Sequence, residues 1–411
     1  MMQKKTIWII NQYASTPETG IGGRHYHLAR ELAGNGIKVY LISAGFHHLL
    51  RQPNAMSKRI EVDTNGNLNI VRIRTPFYSD AHSKKRILNW FLFAWRLFGL
   101  RKFLDRPDCI LVSSPSLVSF IAAEKLAKHY QSRLVFEVRD IWPLTLIELG
   151  GYSVRHPFIR FMQWIESRAY QSSDQVISNL KFASTHMVSK GMPLNKFEWV
   201  PNGFSLSEVS NLSPLHQDVL TKLPEKQFIV GYTGTFGVAN ALDTLLLAAE
   251  RLSEYLDIKF VLVGQGKEKE RLMEFAKEHQ LNNVVFIDAV MKTQVQTVLT
   301  HFDVCYIGWC NDSLYQFGIA ANKIFDYLYA AKPIIHSFSG KGDLVQEYKA
   351  GFTVPAEDHV AVSEAVLKLY KLTEEERDSM GKNGHDSVIE HHEYGKLAHQ
   401  LKSVLLERTK N

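Results

Sequence analysis

Short apolar runs alternate with stretches of helical periodicity along almost the whole chain. In the first half the runs are TIWIIN (6–11), KVYLIS (38–43), NIVRIR (69–74), CILVSS (109–114), RLVFEV (133–138), QVISN (175–179) and EWVPN (198–202). In the second they are QFIVGYTG (227–234), KFVLVG (259–264), NVVFIDA (283–289), VCYIGW (304–309), KPIIHSF (332–338) and GFTVP (351–355). Most are β-branched or aromatic and lack in–out alternation, which predicts strands buried on both faces of parallel sheets. Helical stretches of roughly 10–18 residues between them make βαβ units. The last helix, YGKLAHQLKSVLLERTK, carries Leu397, Leu401 and Leu405 at i, i+4 and i+8, so one face packs.

The pattern restarts after VPNGF (200–204), a Pro-Asn-Gly turn followed by Ser-rich polar sequence. At 411 residues the chain is too long for one ordinary core. The expectation is α/β: two doubly wound domains, 1–200 and 201–389, with a cleft between them and ligands at the carboxyl ends of the strands.

Hydrophobic residues make up 45% and charged residues 22%, values of a globular chain. Cys109, Cys305 and Cys310 have no metal-ligand spacing and are odd in number, which favours a reducing compartment over a disulfide framework. The apolar run after the first lysines, Ile7 to Ile10, is too short for a signal segment, and no run of about 18 apolar residues offers a membrane span. Charge is uneven. Residues 1–200 hold 27 Lys and Arg against 14 Asp and Glu, whereas residues 201–411 hold 21 against 28. The first half alone is thereby suited to a large anionic partner: membrane surface, lipid phosphate or nucleic acid.

Glycine loops follow several strands. In ETGIGGRHYHLARELAGNG (18–36), Gly20, Gly22 and Gly23 would let backbone approach an anion at a helix N-terminus, or simply make a tight turn. This is not the dinucleotide fingerprint, since its third glycine would fall on His25. YTGTFG (232–237) and VGQGKEKE (263–270), with Thr235 and Gly264, each end a strand and open a helix, and neither is a P-loop. Lys323 and Asp326, in KIFDYLYAAKPII (323–335), share a helix face. They read either as a solvated salt bridge or as two groups on one anionic, hydroxyl-bearing ligand. No Asp-x-Asp occurs, so a bound diphosphate is expected to be held by amides and basic side chains, with no metal and no cofactor. The adjacent pairs His47–His48 and His391–His392 read as solvated surface histidines.

Six segments in order carry a resemblance: GGRHYHLARELAGNGIKV (22–39), FEVRDIWP (136–143), VPNGF, VGQGKE (263–268), FGIAANKIFDYLYAAKPII (317–335) and GKNGHDSVIEHHEY (381–394). Together they resemble the GT-B nucleotide-sugar glycosyltransferases of family 4, in the branch that builds bacterial surface polysaccharide and similar to the N-acetyl-fucosamine transferases of O-antigen and capsule synthesis. The resemblance covers nearly the whole chain. It implies two facing Rossmann-like domains, the acceptor in the first and the donor in the second, with a C-terminal helix (about 390–411) returning to the first. It also implies metal-independent transfer, usually with retention, from a nucleotide-sugar donor, UDP-linked in this reading. The donor side would be Gly22, Gly23, Thr235, Gly264, Gly318, Ile319, Ala320, Asn322, Lys323 and Asp326. Where many members carry a pair of glutamates this sequence has Gly318 and Asp326, and the usual Arg and Lys are absent from GYTGTFGVANALDT (231–244). Lys323 and a helix N-terminus near 318–322 are then the expected diphosphate holders. Lys323 would stabilise the departing diphosphate. Asp140 would orient the acceptor and Arg139 meet its phosphate, the competing reading of Asp140 being a helix N-cap.

SKKRILNWFLFAWRLFGLRKFLDR (83–106) places cations around an aromatic helical face, with Ile87, Phe91, Ala94 and Phe98 at helical spacing. Lys84, Lys85, Arg86, Trp90, Trp95 and Arg96 are the expected contacts of an interfacial helix, the alternative being an ordinary crossover helix. The expected partners are a nucleotide sugar, a polyprenyl-diphosphate-linked glycan and an anionic membrane on its cytoplasmic face, without nucleic acid. A GT-B nucleotide-sugar epimerase and a catalytically silent nucleotide-sugar-binding protein are the competing functions.

Overall fold

The computed structural model describes residues 4–20, 22–53, 55–78 and 83–407. The end of the expected C-terminal helix, residues 408–411, and the side chain of Lys84 lie outside the described residues. The chain divides into two compact units, Met1–Asn202 with Tyr394–Asn411, and Gly203–Glu393.

Among its described residues unit 1 is built on eight strands: β1 (Thr6–Ile10), β2 (Lys38–Ala44), β3 (Ile60–Asn65), β4 (Leu68–Ile73), β5 (Cys109–Ser113), β6 (Arg133–Val138), β7 (Gln175–Ser178) and β8 (Phe197–Trp199). Their order is β3-β4-β2-β1-β5-β6-β7-β8. Every neighbouring pair is parallel except β3/β4, an antiparallel hairpin closed at Gly66 (φ +60°). The apolar runs did not mark β3, because IEVDTN is an exposed edge strand that faces water and needs no apolar run. Chain order reverses between β1 and β5, which places a switch point at their carboxyl ends. The helix Tyr394–Leu406 packs into the core of this unit: Leu397, Leu401 and Leu405 bury against Leu28, Leu32 and the sheet, and the His27 ring stacks on Tyr394 at 4.8 Å.

Unit 2 has six parallel strands: β9 (Phe228–Thr235), β10 (Ile258–Gln265), β11 (Val284–Ile287), β12 (Val304–Gly308), β13 (Ile334–Ser337) and β14 (Gly351–Val354), in the order β11-β10-β9-β12-β13-β14. Val230, Tyr232, Phe260 and Leu262 bury on one face; Ile229, Val261, Cys305 and Ile307 bury on the other. Both faces are covered, which is why these strands read as continuous apolar runs. The switch point lies between β9 and β12.

Candidate active site

The second switch point holds Lys323 next to Gly234 and close to Thr235 and Gly264, whereas the expected Gly22 and Gly23 belong to unit 1. KIFDYLY is not the end of a longer helix but a seven-residue helix, Lys323–Tyr329, and residues 318–322 form the loop before it rather than a helix N-terminus. Gly318 has φ +105°, open to glycine at little cost, and Asn322 stands before the helix while Ile319 and Ala320 complete the loop. The Lys323 Nζ donates to Tyr232 Oη at 2.8 Å and to Asn240 Oδ1 at 2.6 Å, and sits 4.4 Å from the Tyr232 ring centroid. Tyr232 Oη and Asn240 Nδ2 both donate to the Thr235 carbonyl, at 2.7 and 3.0 Å. Gly234 and Gly264 close this end of the sheet. A Cβ on Gly264 would fall 1.9 Å from the Gly234 carbonyl oxygen, and one on Gly234 would fall 3.2 Å from Nζ. Burial lowers the Lys323 pKa to about 7, and no ion pair of the described residues includes it.

Asp326 does not meet Lys323. Its carboxylate accepts from Lys292 Nζ at 2.6 and 2.7 Å. The simple surface bridge between Lys323 and Asp326 is therefore not formed: each turns to a different element.

In unit 1 the glycine loop is explained mainly by its own packing. A Cβ on Gly20 would meet Ser15 Oγ at 2.6 Å, and one on Gly22 (φ +58°) would meet the Pro17 ring at 2.7 Å. Gly23 precedes the helix Arg24–Gly34 and faces open space. Asp140 is exposed at the carboxyl end of β6 and is not a cap, since the next helix, Leu144–Glu148, starts after Pro143. The Arg139 amide donates to Ser114 Oγ at 2.9 Å, and its Nε is buried without a partner.

Sequence reading missed the buried charges beneath this end of the sheet. Glu137 on β6 accepts from Arg24 Nε at 2.9 Å and pairs with His25 Nε2 at 2.5 Å, while Asn11 Nδ2 lies 3.1 Å from His25 Nδ1. Arg24 also donates to the Val200 and Pro201 carbonyls. Burial lowers the His25 pKa, outweighing the attraction of Glu137. Burial works to raise the Glu137 pKa, but His25 and Arg24 outweigh it and hold the carboxyl well below its ordinary value. The available signal was an acid inside the apolar run RLVFEV, which needs a buried cation. The histidine pairs are also split: His47 and His392 are buried, not solvated, because His47 bonds the Ala14 carbonyl and His392 bonds Tyr348.

The basic aromatic helix, Lys84–Leu97, turns half of its expected contacts inward. Trp90 is buried with its Nε1 on Tyr13 Oη at 2.5 Å, Arg86 Nε donates to the same hydroxyl at 3.1 Å, and Arg96 bonds the Arg74 carbonyl. Ala94 is buried too. The outward face carries Lys85 with Leu88 (62% exposed), Phe91 and Trp95 (69%). Phe91 stacks on Phe161 at 6.1 Å, and Phe161 on Trp164 at 6.1 Å, so helix Pro157–Ser172 continues the patch. Exposed Arg160 stands on that second helix, and exposed Arg101 and Lys102 on the short turn Phe98–Lys102 that follows the first. No helix among the described residues is long and apolar enough to cross a membrane.

Residues 19–208 match the model described as Glycosyltransferase Family 4, and residues 217–387 the model described as Glycosyl transferases group 1. An Escherichia coli (strain K12) protein described as a colanic acid biosynthesis glycosyl transferase, WcaI, is 25% identical over 224 residues, 52% of this chain and 54% of that protein. The chain thus aligns with about half the length of that relative. Sucrose-phosphate synthase from Thermosynechococcus elongatus superposes with a TM-score of 0.75 at 16% identity, covering 98% of each chain. HepE from Anabaena, in complex with UDP-glucose, superposes with a TM-score of 0.63 at 12% identity, covering 97% of this chain and 99% of that one. The architecture is the GT-B fold. The chain belongs to the family 4 glycosyltransferases.

Proposed function

We propose that this glycosyltransferase moves a sugar from a UDP-sugar to a glycan carried on polyprenyl diphosphate, in bacterial surface-polysaccharide synthesis of the O-antigen or capsule kind, with retention. The observation that carries the donor side is Lys323: a half-buried ammonium in no ion pair among the described residues, held at the carboxyl ends of β9 and β12. A diphosphate supplies the missing counter-charge there. As the bond between the sugar's C1 and the leaving oxygen breaks, charge gathers on the diphosphate, and the fixed ammonium stabilises it. The acceptor oxygen bonds to C1 on the face the diphosphate leaves, and its proton passes to the leaving phosphate. Asp140 orients the acceptor and Arg139 meets its phosphate.

The UDP-glucose complex of HepE supports a uridine donor, and the similarity to WcaI supports a polysaccharide product. The outward aromatic face of Lys84–Leu97, near cations, supports action from an anionic membrane surface on the cytoplasmic side. The test is incubation of the protein with a panel of UDP-sugars and a polyprenyl-diphosphate-linked sugar, with mass spectrometry of the lipid. A lipid product one sugar heavier is expected. Release of free sugar alone, or no reaction with any UDP-sugar, contradicts the reading.

A further inference from the structure

Among the described residues Lys323 is held by neutral groups only. An ammonium has three N–H donors. One goes to Tyr232 Oη and one to Asn240 Oδ1, and the third has no partner among the described residues. Both acceptors are oriented by the same atom. The Tyr232 hydroxyl spends its proton on the Thr235 carbonyl, so only lone pairs face Nζ. The Asn240 amide donates Nδ2 to that carbonyl, so its oxygen faces Nζ. Asn240 itself is fixed because Gly308, at the end of β12, lets its backbone pass: a Cβ on Gly308 would lie 2.8 Å from the Asn240 carbonyl oxygen.

We propose that Asn240 and Tyr232 are positioning residues that fix the Lys323 ammonium without neutralising it, leaving its charge for the bound diphosphate. This rests on Lys323 as the diphosphate holder. A carboxylate in the Asn240 position would make the same hydrogen bond and cancel the charge. Burial already pushes the free lysine down to about 7, so the bound anion also decides its protonation. Binding of an anion then takes up a proton near neutral pH, and affinity falls as pH rises through neutrality.

The experiment is calorimetric titration of UDP and of uridine into wild type, Asn240→Asp, Tyr232→Phe and Lys323→Met, below and above neutral pH. Asn240→Asp keeps the side-chain shape but gives up the Nδ2 bond to the Thr235 carbonyl, and is expected to weaken UDP by roughly tenfold or more with uridine little changed. Its UDP affinity should also depend less on pH than the wild type's, because the paired ammonium stays protonated. An asparagine that does not face Nζ would leave that profile unchanged when replaced by aspartate. Tyr232→Phe should weaken UDP selectively and keep a pH dependence. Wild-type UDP affinity and pH profile in Asn240→Asp, with Lys323→Met weakened, overturn the positioning role alone. Undiminished UDP binding by Lys323→Met, or none by the wild type, overturns the donor reading beneath it.

Discussion

Lys292 holds the Asp326 carboxylate by both oxygens, its Nζ 2.6 and 2.7 Å away, while Lys323 on the same short helix reaches Tyr232 and Asn240 instead. The carboxylate is thus fixed in place before any ligand arrives. Asp326→Ala is expected to weaken UDP and uridine alike by about 10- to 150-fold, because a charge-assisted bond to ribose hydroxyls is lost. Asp326→Asn should recover part of it. The melting temperature should barely move, since Lys292 is largely exposed and such a pair contributes about 0–1 kcal/mol. Calorimetry with a parallel thermal melt checks this; unchanged uridine binding removes Asp326 from the donor site.

The Glu137 cluster should contribute to acid sensitivity. Its pKa is depressed in the fold, so its contribution is present above the unfolded carboxylate value, about 4.3, and is lost as pH falls through the lower folded value. His25 is depressed as well, so the unfolded chain binds a proton first as pH falls below about 6.5 and destabilisation begins there. Glu137→Gln leaves Arg24 buried without its counter-charge and should cost about 3–5 kcal/mol at neutral pH. Denaturant melts across acid pH should also lose the Glu137-linked part of the slope. A variant within about 1 kcal/mol of wild type would show that the pair is not holding unit 1 together.

Membrane binding should depend on the outward face alone. Phe91→Ser with Trp95→Ser, and separately Lys85→Glu, should reduce co-sedimentation with anionic liposomes, and high salt should release the wild type. Arg86 is unsuited to this test, because it bonds and stacks on Tyr13 inside the fold. Equal sedimentation of the double variant and wild type would make Lys84–Leu97 an ordinary crossover helix.

Sugar transfer should survive excess chelator, because in the proposed site Lys323 takes the place of the positive charge that a divalent cation would otherwise bring. Product formation timed with and without chelator checks it. Activity lost in chelator and restored by Mg²⁺ or Mn²⁺ contradicts the account.

The sheets were legible because parallel strands buried on both faces leave continuous apolar runs, and thirteen runs found their strands. β3 was not, since an exposed edge strand carries no such run. Lys323 could be singled out by its place beside a buried strand, but its partners could not. Tyr232 and Asn240 lie about ninety and eighty residues away, and only the β9/β12 switch point brings them together. The Arg24–His25–Glu137 cluster was hidden for the same reason: Glu137 lies more than a hundred residues from the other two. In Lys84–Leu97 the spacing marked an amphipathic helix but not which side faces in, because aromatic side chains occupy both.

Lys323 is the proposed holder of the donor's diphosphate. The most direct test of that role is calorimetric titration of UDP, UMP and uridine into wild type and Lys323→Met. UDP is expected to weaken by about 10- to 150-fold, UMP by less, and uridine hardly at all. Equal affinities of the two proteins for UDP, or an equal loss for uridine, would contradict it.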